Sequence, residues 1–257
     1  MAKVFSIFII IVFLTGCTAN TIIKNDKYFG KSFPDRNLTI LPFVYDSLTV
    51  VNWDDVVDDF GVDSANSKSF INDTLHESLL KYSEALTRNI NITDGKNLID
   101  WNDIKSDTNN YFQISKKIND NYDCEFDIPR KELLEPTGLG NSFVLVFSRV
   151  FIARDLGSTG SFPIYTPGQT ISTPGGSIQT PGIFTSGGSM GNLGAIVEFI
   201  IWDYEQNDYV KCGSVTVKEG ISFAMTTGTW TALFEGIAKD IYKQTPFEIT
   251  TANYYQK

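Results

Sequence analysis

An α+β fold, a mixed β-sheet with amphipathic helices packed on it, is predicted by three observations. Apolar stripes at helical spacing occur in the first third of the chain and again near its end, while long β-branched and aromatic runs dominate the second half. The order strand, helix, strand, helix, several strands, helix suits helices layered on a sheet. Residues 155–194 hold ten of the twenty glycines and four of the nine prolines, which marks a long Gly/Thr/Pro-rich hairpin insertion.

Taken in order, Met1-Ala2-Lys3 carries one positive charge and precedes the apolar run VFSIFIIIVFL. A helix needs roughly 20 apolar residues to cross a bilayer core. The shorter run fits the apolar part of a secretory signal. Leu14-Thr15-Gly16-Cys17 then resembles the bacterial lipoprotein signal, Leu-small-small-Cys. The resemblance implies removal of residues 1–16, a diacylglycerol on the Cys17 sulfur and an acyl chain on its amine. Two or more chains hold a protein stably on a membrane, whereas one binds reversibly. An ordinary cleaved signal and an uncleaved anchor are the competing readings. Thr18 and Ala19 follow with no Asp, a pattern that the family's rules in Gram-negative bacteria associate with the outer membrane. In a Gram-positive host the same anchor faces outward. The expected location is therefore the bacterial cell envelope, with the membrane as a partner through the N-terminal lipid.

Residues 17–37 are polar and unpatterned, with Lys24, Lys27 and Lys31, and read as a lipidated tether. A single α+β domain is expected over 38–250, with 251–257 as a tail. Leu38–Phe43, LTILPF, is a short apolar strand whose Pro42 suits a strand end or edge, since proline lacks the amide donor. Ile71, Leu75, Leu79, Tyr82 and Leu86 share one face of a helix over 69–86, for which Ser67 or Ser69 can cap the start. Asn89–Thr93 is a short strand. Ile104, Phe112 and Ile118 make a weaker stripe that predicts a second helix within 101–118. Phe143–Arg154 and Ala195–Tyr204 are long strands, the second with Val197, Phe199 and Ile201 inward and Glu198 and Asp203 outward. Gln206-Asn207-Asp208 is a turn into the strand YVKCGSVTV, and ISFAMTT is a further candidate strand. The last helix carries Trp230, Leu233, Phe234, Ile237 and Ile241 on one face and stops before Pro246.

LTILPF before a helix, a buried strand, IIWDYEQNDYV and a terminal amphipathic helix together are similar to a broad envelope group. That group contains the amino-terminal domain of the Tol-system propeller protein, the lipoprotein activators of penicillin-binding proteins and the curli secretion-channel lipoprotein. The resemblance implies partner binding or assembly without catalysis, and only Cys17 carries over as a residue with a defined role.

The formal charge is −9, and −10 once Lys3 leaves with the signal. An acidic chain with no basic run repels phosphate backbones, which excludes nucleic acid as an expected partner. The single histidine, His76, sits mid-helix beside Leu75, and no Gly-x-Ser-x-Gly elbow accompanies it. It reads as a helix-boundary residue. Asp54, Asp55, Asp58, Asp59 and Asp63 lack calcium-loop spacing and read as a solvated acidic run. GLGNSF and GSMGNLG lead into strands, not helices, so they are turns and not phosphate cradles. No cofactor, metal or small-molecule ligand is indicated. Cys124 and Cys212 are either a disulfide, which the envelope permits, or buried thiols, as the alternation around Cys212 suggests. A hydrolase with an unassigned carboxylate site is the remaining enzymatic alternative.

The insertion has no charged side chain from 156 to 197 and spells Ile-x-Thr-Pro-Gly three times, from Ile164, Ile171 and Ile178. Each Pro-Gly can occupy the centre of a type II turn. Three readings stay open. The arm is a flexible spacer, a contact arm for an envelope protein or another copy, or a transmembrane hairpin given to an oligomeric secretion-channel-type barrel. Phe162, Ile164, Tyr165, Ile171, Ile178 and Phe184 are the candidate contact residues. The expected function is that of a membrane-anchored envelope lipoprotein acting by binding or assembly.

Overall fold

The computed structural model describes residues 21–248, except for 44–47, 52–63, 97–103, 105, 120–121, 135–141, 156–163, 167–169, 174–175, 180–182, 186–190 and 222–226. Cys17, expected to carry the lipid, the acidic run at 54–63 and the expected ISFAMTT strand beyond Ile221 lie outside the described residues.

The strands are β1 (Thr21–Lys24), β2 (Asn37–Ile40), β3 (Leu48–Val51), β4 (Asn91–Asp94), β5 (Tyr111–Asn119), β6 (Tyr122–Pro129) and β7 (Phe143–Asp155). Four short arm strands follow, β8 (Ile164–Thr166), β9 (Thr170–Thr173), β10 (Gly176–Gln179) and β11 (Ile183–Thr185), then β12 (Asn192–Asp203) and β13 (Asp208–Gly220). The helices are α1 (Ser64–Leu86), α2 (Lys131–Leu134) and α3 (Thr227–Tyr242). A seven-stranded sheet runs β1-β13-β12-β7-β2-β4, with β3 also on β7. β2, β3 and β7 are parallel, as are β2 and β4, and the other pairs are antiparallel, so the sheet is mixed and the fold is α+β.

The sheet has two covered faces. On one, Ile71, Leu75 and Leu79 of α1 and Trp230, Leu233, Phe234 and Ile237 of α3 pack onto Leu145, Val197, Phe199 and Ile201. On the other, Cys124, Phe126 and Ile128 of β6 pack against Val144, Val146, Ile200 and Trp202. Of the helix expected within 101–118, Ile104 and Ser106 are helical, and from Tyr111 onward the β5–β6 hairpin takes its place. Phe112 and Ile114 pack at the edge of that second cluster, and the period-two reading beats the sparse helical one. α1 starts at Ser64, ahead of the expected capping serines.

Two bulges decide where polar side chains point. Trp202 pairs with Tyr209 and Ile201 with Lys211, which leaves Val210 as the extra residue on β13. Val210 and Lys211 therefore share the helix face, because a bulge re-aims the side chains around it. Lys211 is 1% exposed, and its Nζ donates to the carbonyls of Asp240, Ile241 and Lys243 at 2.7, 2.7 and 2.8 Å. A cation at the C-terminal end of α3 meets the negative end of the helix dipole and satisfies carbonyls the helix leaves open. Burial pulls the ammonium down to about 7 from its usual 10.5, so the three carbonyls are what keep it in place. Replacing Lys211→Met keeps the bulk and removes the donors; chemical denaturation is expected to show a loss of about 2 kcal/mol.

Candidate functional site

From Thr21 onward the N-terminal segment is part of the folded body, where a tether was expected over 17–37. Thr21–Lys24 pairs along Ser214–Lys211, and this approach needs Gly213. Gly213 has φ +145°, and a Cβ there would lie 2.2 Å from the Thr21 carbonyl oxygen. After β1, Asn25 caps a short 3-10 turn, accepting from the Lys27 amide, and its side-chain amide donates to Asp208 and to the Tyr209 carbonyl. The segment is then clamped by Asp203, expected to face outward and in fact fully buried. Arg36 donates to both Asp203 carboxylate oxygens at 2.6 and 3.1 Å, and the Tyr28 hydroxyl donates at 3.0 Å. The amides of Glu205 and Gln206 complete the shell, and the Arg36 guanidinium lies 3.8 Å over the Phe143 ring. Burial pushes the Asp203 carboxyl upward, but Arg36 and these donors outweigh it and hold it below the carboxylate range.

The arm leaves the sheet between β7 and β12, whose last pair is Asp155 with Asn192. Its own strands continue as an antiparallel hairpin. Ile164 pairs with Thr185 and Tyr165 with Phe184; further out, Ile171 pairs with Ile178 and Thr173 with Gly176. In sequence, Pro174-Gly175 lies between β9 and β10, and all three Pro-Gly pairs lie outside the described residues. Of the candidate contact residues, the hairpin pairs Ile164, Tyr165, Ile171, Ile178 and Phe184 through the backbone, and Phe162 lies outside the described residues.

Topology directs the arm and the start of β1 toward the same end of the sheet. β13 ends at Gly220, opposite Asn192, beside the arm's root. β1 runs antiparallel to β13, so its Thr21 end points toward that same end of the sheet. The sequence holds no signal for this meeting, since it depends on which way an unrecognised strand runs.

Two other groups singled out from the sequence are structural. His76, read as a boundary residue, is 2% exposed; its Nε2 lies 2.7 Å from Asp94, and its Nδ1 has no hydrogen-bond partner. Among the described residues no hydroxyl or thiol is bonded to it. Cys124 and Cys212 are free thiols in one apolar cluster, not a disulfide. Burial pushes Cys124 up to about 11 and Cys212 to about 12, leaving no thiolate at neutral pH to attack a disulfide. Among the described residues no group of three His, Cys, Asp or Glu side chains is placed to hold a metal.

Glu198 was also expected outside and is 5% exposed. Glu198 pairs with Arg149 and Phe199 with Phe147, so Ser148 is a bulge. Ser148 and Arg149 both reach the Glu198 carboxylate, at 3.1 and 3.3 Å. Burial still raises Glu198 from 4.5 to about 7, because Arg149 is largely solvated.

No protein-family model matches the sequence, and no curated protein matches it. Among solved structures the chain is similar to the PelC dodecamer from Paraburkholderia phytofirmans, at 10% identity and a TM-score of 0.33, over 90% of this chain and 100% of that one. A single-substitution variant of that dodecamer gives 8% identity and a TM-score of 0.34 over the same shares. Values this low place no function on this chain.

Two outcomes follow from the geometry. Gly213→Val is expected to expel β1: hydrogen exchange should lose protection at Ile22–Lys24 while the β7–β12 ladder keeps its own. For Glu198, a raised folded-state pKa means stability present at low pH and lost as pH rises from 4.5 through about 7. Glu198→Gln is expected to remove that decline, a difference on the order of 2 kcal/mol by pH 8 in denaturation midpoints.

Proposed function

We propose that this protein is a lipid-anchored bacterial envelope lipoprotein that acts by binding or assembly at the membrane and not by catalysis. Its working element is the charge-free hairpin at 155–194. The reading rests on the shared end of the sheet. Cys17 lies four residues before Thr21, so an acylated Cys17 keeps the start of β1 within about 14 Å of the bilayer surface. From the level of Ser214 to the end of β13 is about 20 Å in the direction β1 points. The arm thus starts close to the membrane that holds the lipid. A segment without one charge from 156 to 197 has no electrostatic reason to stay out of that interface.

A second reading, an oligomeric channel-type subunit, is favoured by the length of the arm. From the start of β8 at Ile164 to the end of β9 at Thr173 is about ten residues of sequence, as it is from Gly176 of β10 to Thr185 of β11, and a tilted strand crosses the hydrocarbon core in roughly 9–11. A lone hairpin leaves its edges unpaired in lipid, so this reading requires several copies side by side.

Mass spectrometry of the mature protein tests the anchor: the expected N-terminal residue is Cys17 carrying acyl chains, and an unmodified mature Cys17 would contradict it. Deleting 158–192 tests the arm. The truncated protein is expected to stay membrane-bound and folded while losing its detergent-stable complexes. Complexes unchanged by the deletion would leave the hairpin a spacer.

A further inference from the structure

Backbone pairing in the arm sorts its residues by face. Successive residues of a strand alternate between the two faces of a ladder, and residues paired directly across it share one. In the β9–β10 ladder Ile171 pairs with Ile178, so both isoleucines take one face, together with Thr173 and Gly176. Thr170 with Gln179 and Ser172 with Ser177 take the other, which therefore holds only hydroxyl residues and one amide. In the β8–β11 ladder Tyr165 pairs with Phe184 on one face. The pairs on its other face, Ile164 with Thr185 and Thr166 with Ile183, each join an isoleucine to a threonine.

The order along the chain matters as well. In sequence the aromatic pair is the one nearer the sheet, and the isoleucine pair is the one nearer Pro174-Gly175. A bilayer presents the same order in depth, because aromatic rings settle at the headgroup level and aliphatic side chains suit the hydrocarbon beneath. The mixed isoleucine–threonine pairs also fall in the part of the arm nearer the sheet, where a headgroup region is chemically mixed. The clean separation into an aliphatic and a polar face falls further out.

We propose that the arm engages the bilayer through one face only. Ile171 and Ile178 lie against acyl chains, Tyr165 and Phe184 sit at the headgroup level, and Thr170, Ser172, Ser177 and Gln179 stay hydrated. This assignment rests on the reading that the arm meets the membrane, and it adds which side of the arm does so. Apolar surface gains by leaving water, which favours the isoleucine face in lipid. Hydroxyls and amides lose by entering hydrocarbon without partners, which keeps the opposite face wet. A wet side also leaves water for the backbone groups along the hairpin's edges, which lipid cannot satisfy. The charge-free stretch from 156 to 197 and an anchor at Cys17, four residues before β1, favour lipid over a second copy of the arm as the cover for that face.

The test uses four single variants of the full mature protein, Ile171→Cys, Ser172→Cys, Ser177→Cys and Ile178→Cys, each carrying a nitroxide. Each is bound to vesicles of phosphatidylethanolamine and phosphatidylglycerol. Cys124 and Cys212 are buried, and the unsubstituted protein taken through the same labelling gives the blank. Collision of the nitroxide with oxygen, which concentrates in lipid, is compared with its collision with a water-soluble nickel chelate. Oxygen is expected to dominate severalfold at 171 and 178, and the chelate severalfold at 172 and 177, so that the preference reverses between adjacent residues. All four sites open to the chelate would overturn the membrane contact itself and this assignment with it. All four sites equally open to oxygen would leave the membrane contact standing and overturn the assignment of faces. Isoleucine sites shielded from both reagents would overturn it in favour of a second copy packed on that face.

Discussion

Strand β1 lies against β13 only because position 213 lacks a side chain. With a Cβ there, the Thr21 carbonyl would be met at 2.2 Å, well inside contact distance. Once β1 is seated, the chain turns through the Asn25 cap and delivers Arg36 to Asp203, a carboxylate with no exposure to water. A buried carboxylate is tolerable only with its lone pairs filled, and here two guanidinium donors, a phenol and two amides fill them. The clasp and the strand support each other: one fixes the end of the segment and the other its start. The consequence is mechanical. A lipid on Cys17 would be attached to a rigid sheet, four residues away, and not to a long loose leash.

The same economy of placement recurs at the two bulges. An extra residue at Val210 turns Lys211 toward the helices, where it closes the carbonyl end of α3. An extra residue at Ser148 puts two consecutive side chains on the face of Glu198. In both cases a charged group sits inside the sheet because a local irregularity brought its partners to it. Neither environment is neutral toward charge, as the shifts of Lys211 and Glu198 toward 7 from opposite directions show. Both groups lie on the central strands β12 and β13.

The long strands and the two large helices were legible in the sequence because their periodicities are strong. Val197, Phe199 and Ile201 do line one face, as do Trp230, Leu233 and Ile237. What escaped was set by partners far away in the chain. Thr21–Lys24 has too little pattern to announce a strand, and its pairing depends on a glycine about 190 residues later. The alternation puts Glu198 on the face opposite Val197 but does not show the cover that buries it, and Asp203, expected to face outward, is buried against Tyr28 and Arg36. β5 was masked by a coincidental helical spacing of Ile104, Phe112 and Ile118. The open groove lined by Phe112, Trp202 and Lys131 draws on β5, β12 and α2, and no local motif links them.

The central claim is that the N-terminal anchor and the charge-free hairpin meet the same membrane. The most direct measurement places an environment-sensitive fluorophore at the start of β10 through Gly176→Cys, in protein bound to vesicles containing a lipid-borne quencher. Cys124 and Cys212 are buried thiols, so labelling falls on the introduced site. The account predicts a blue-shifted emission that the lipid-borne quencher suppresses and a water-soluble quencher does not. Emission characteristic of water, untouched by the lipid quencher, would contradict it.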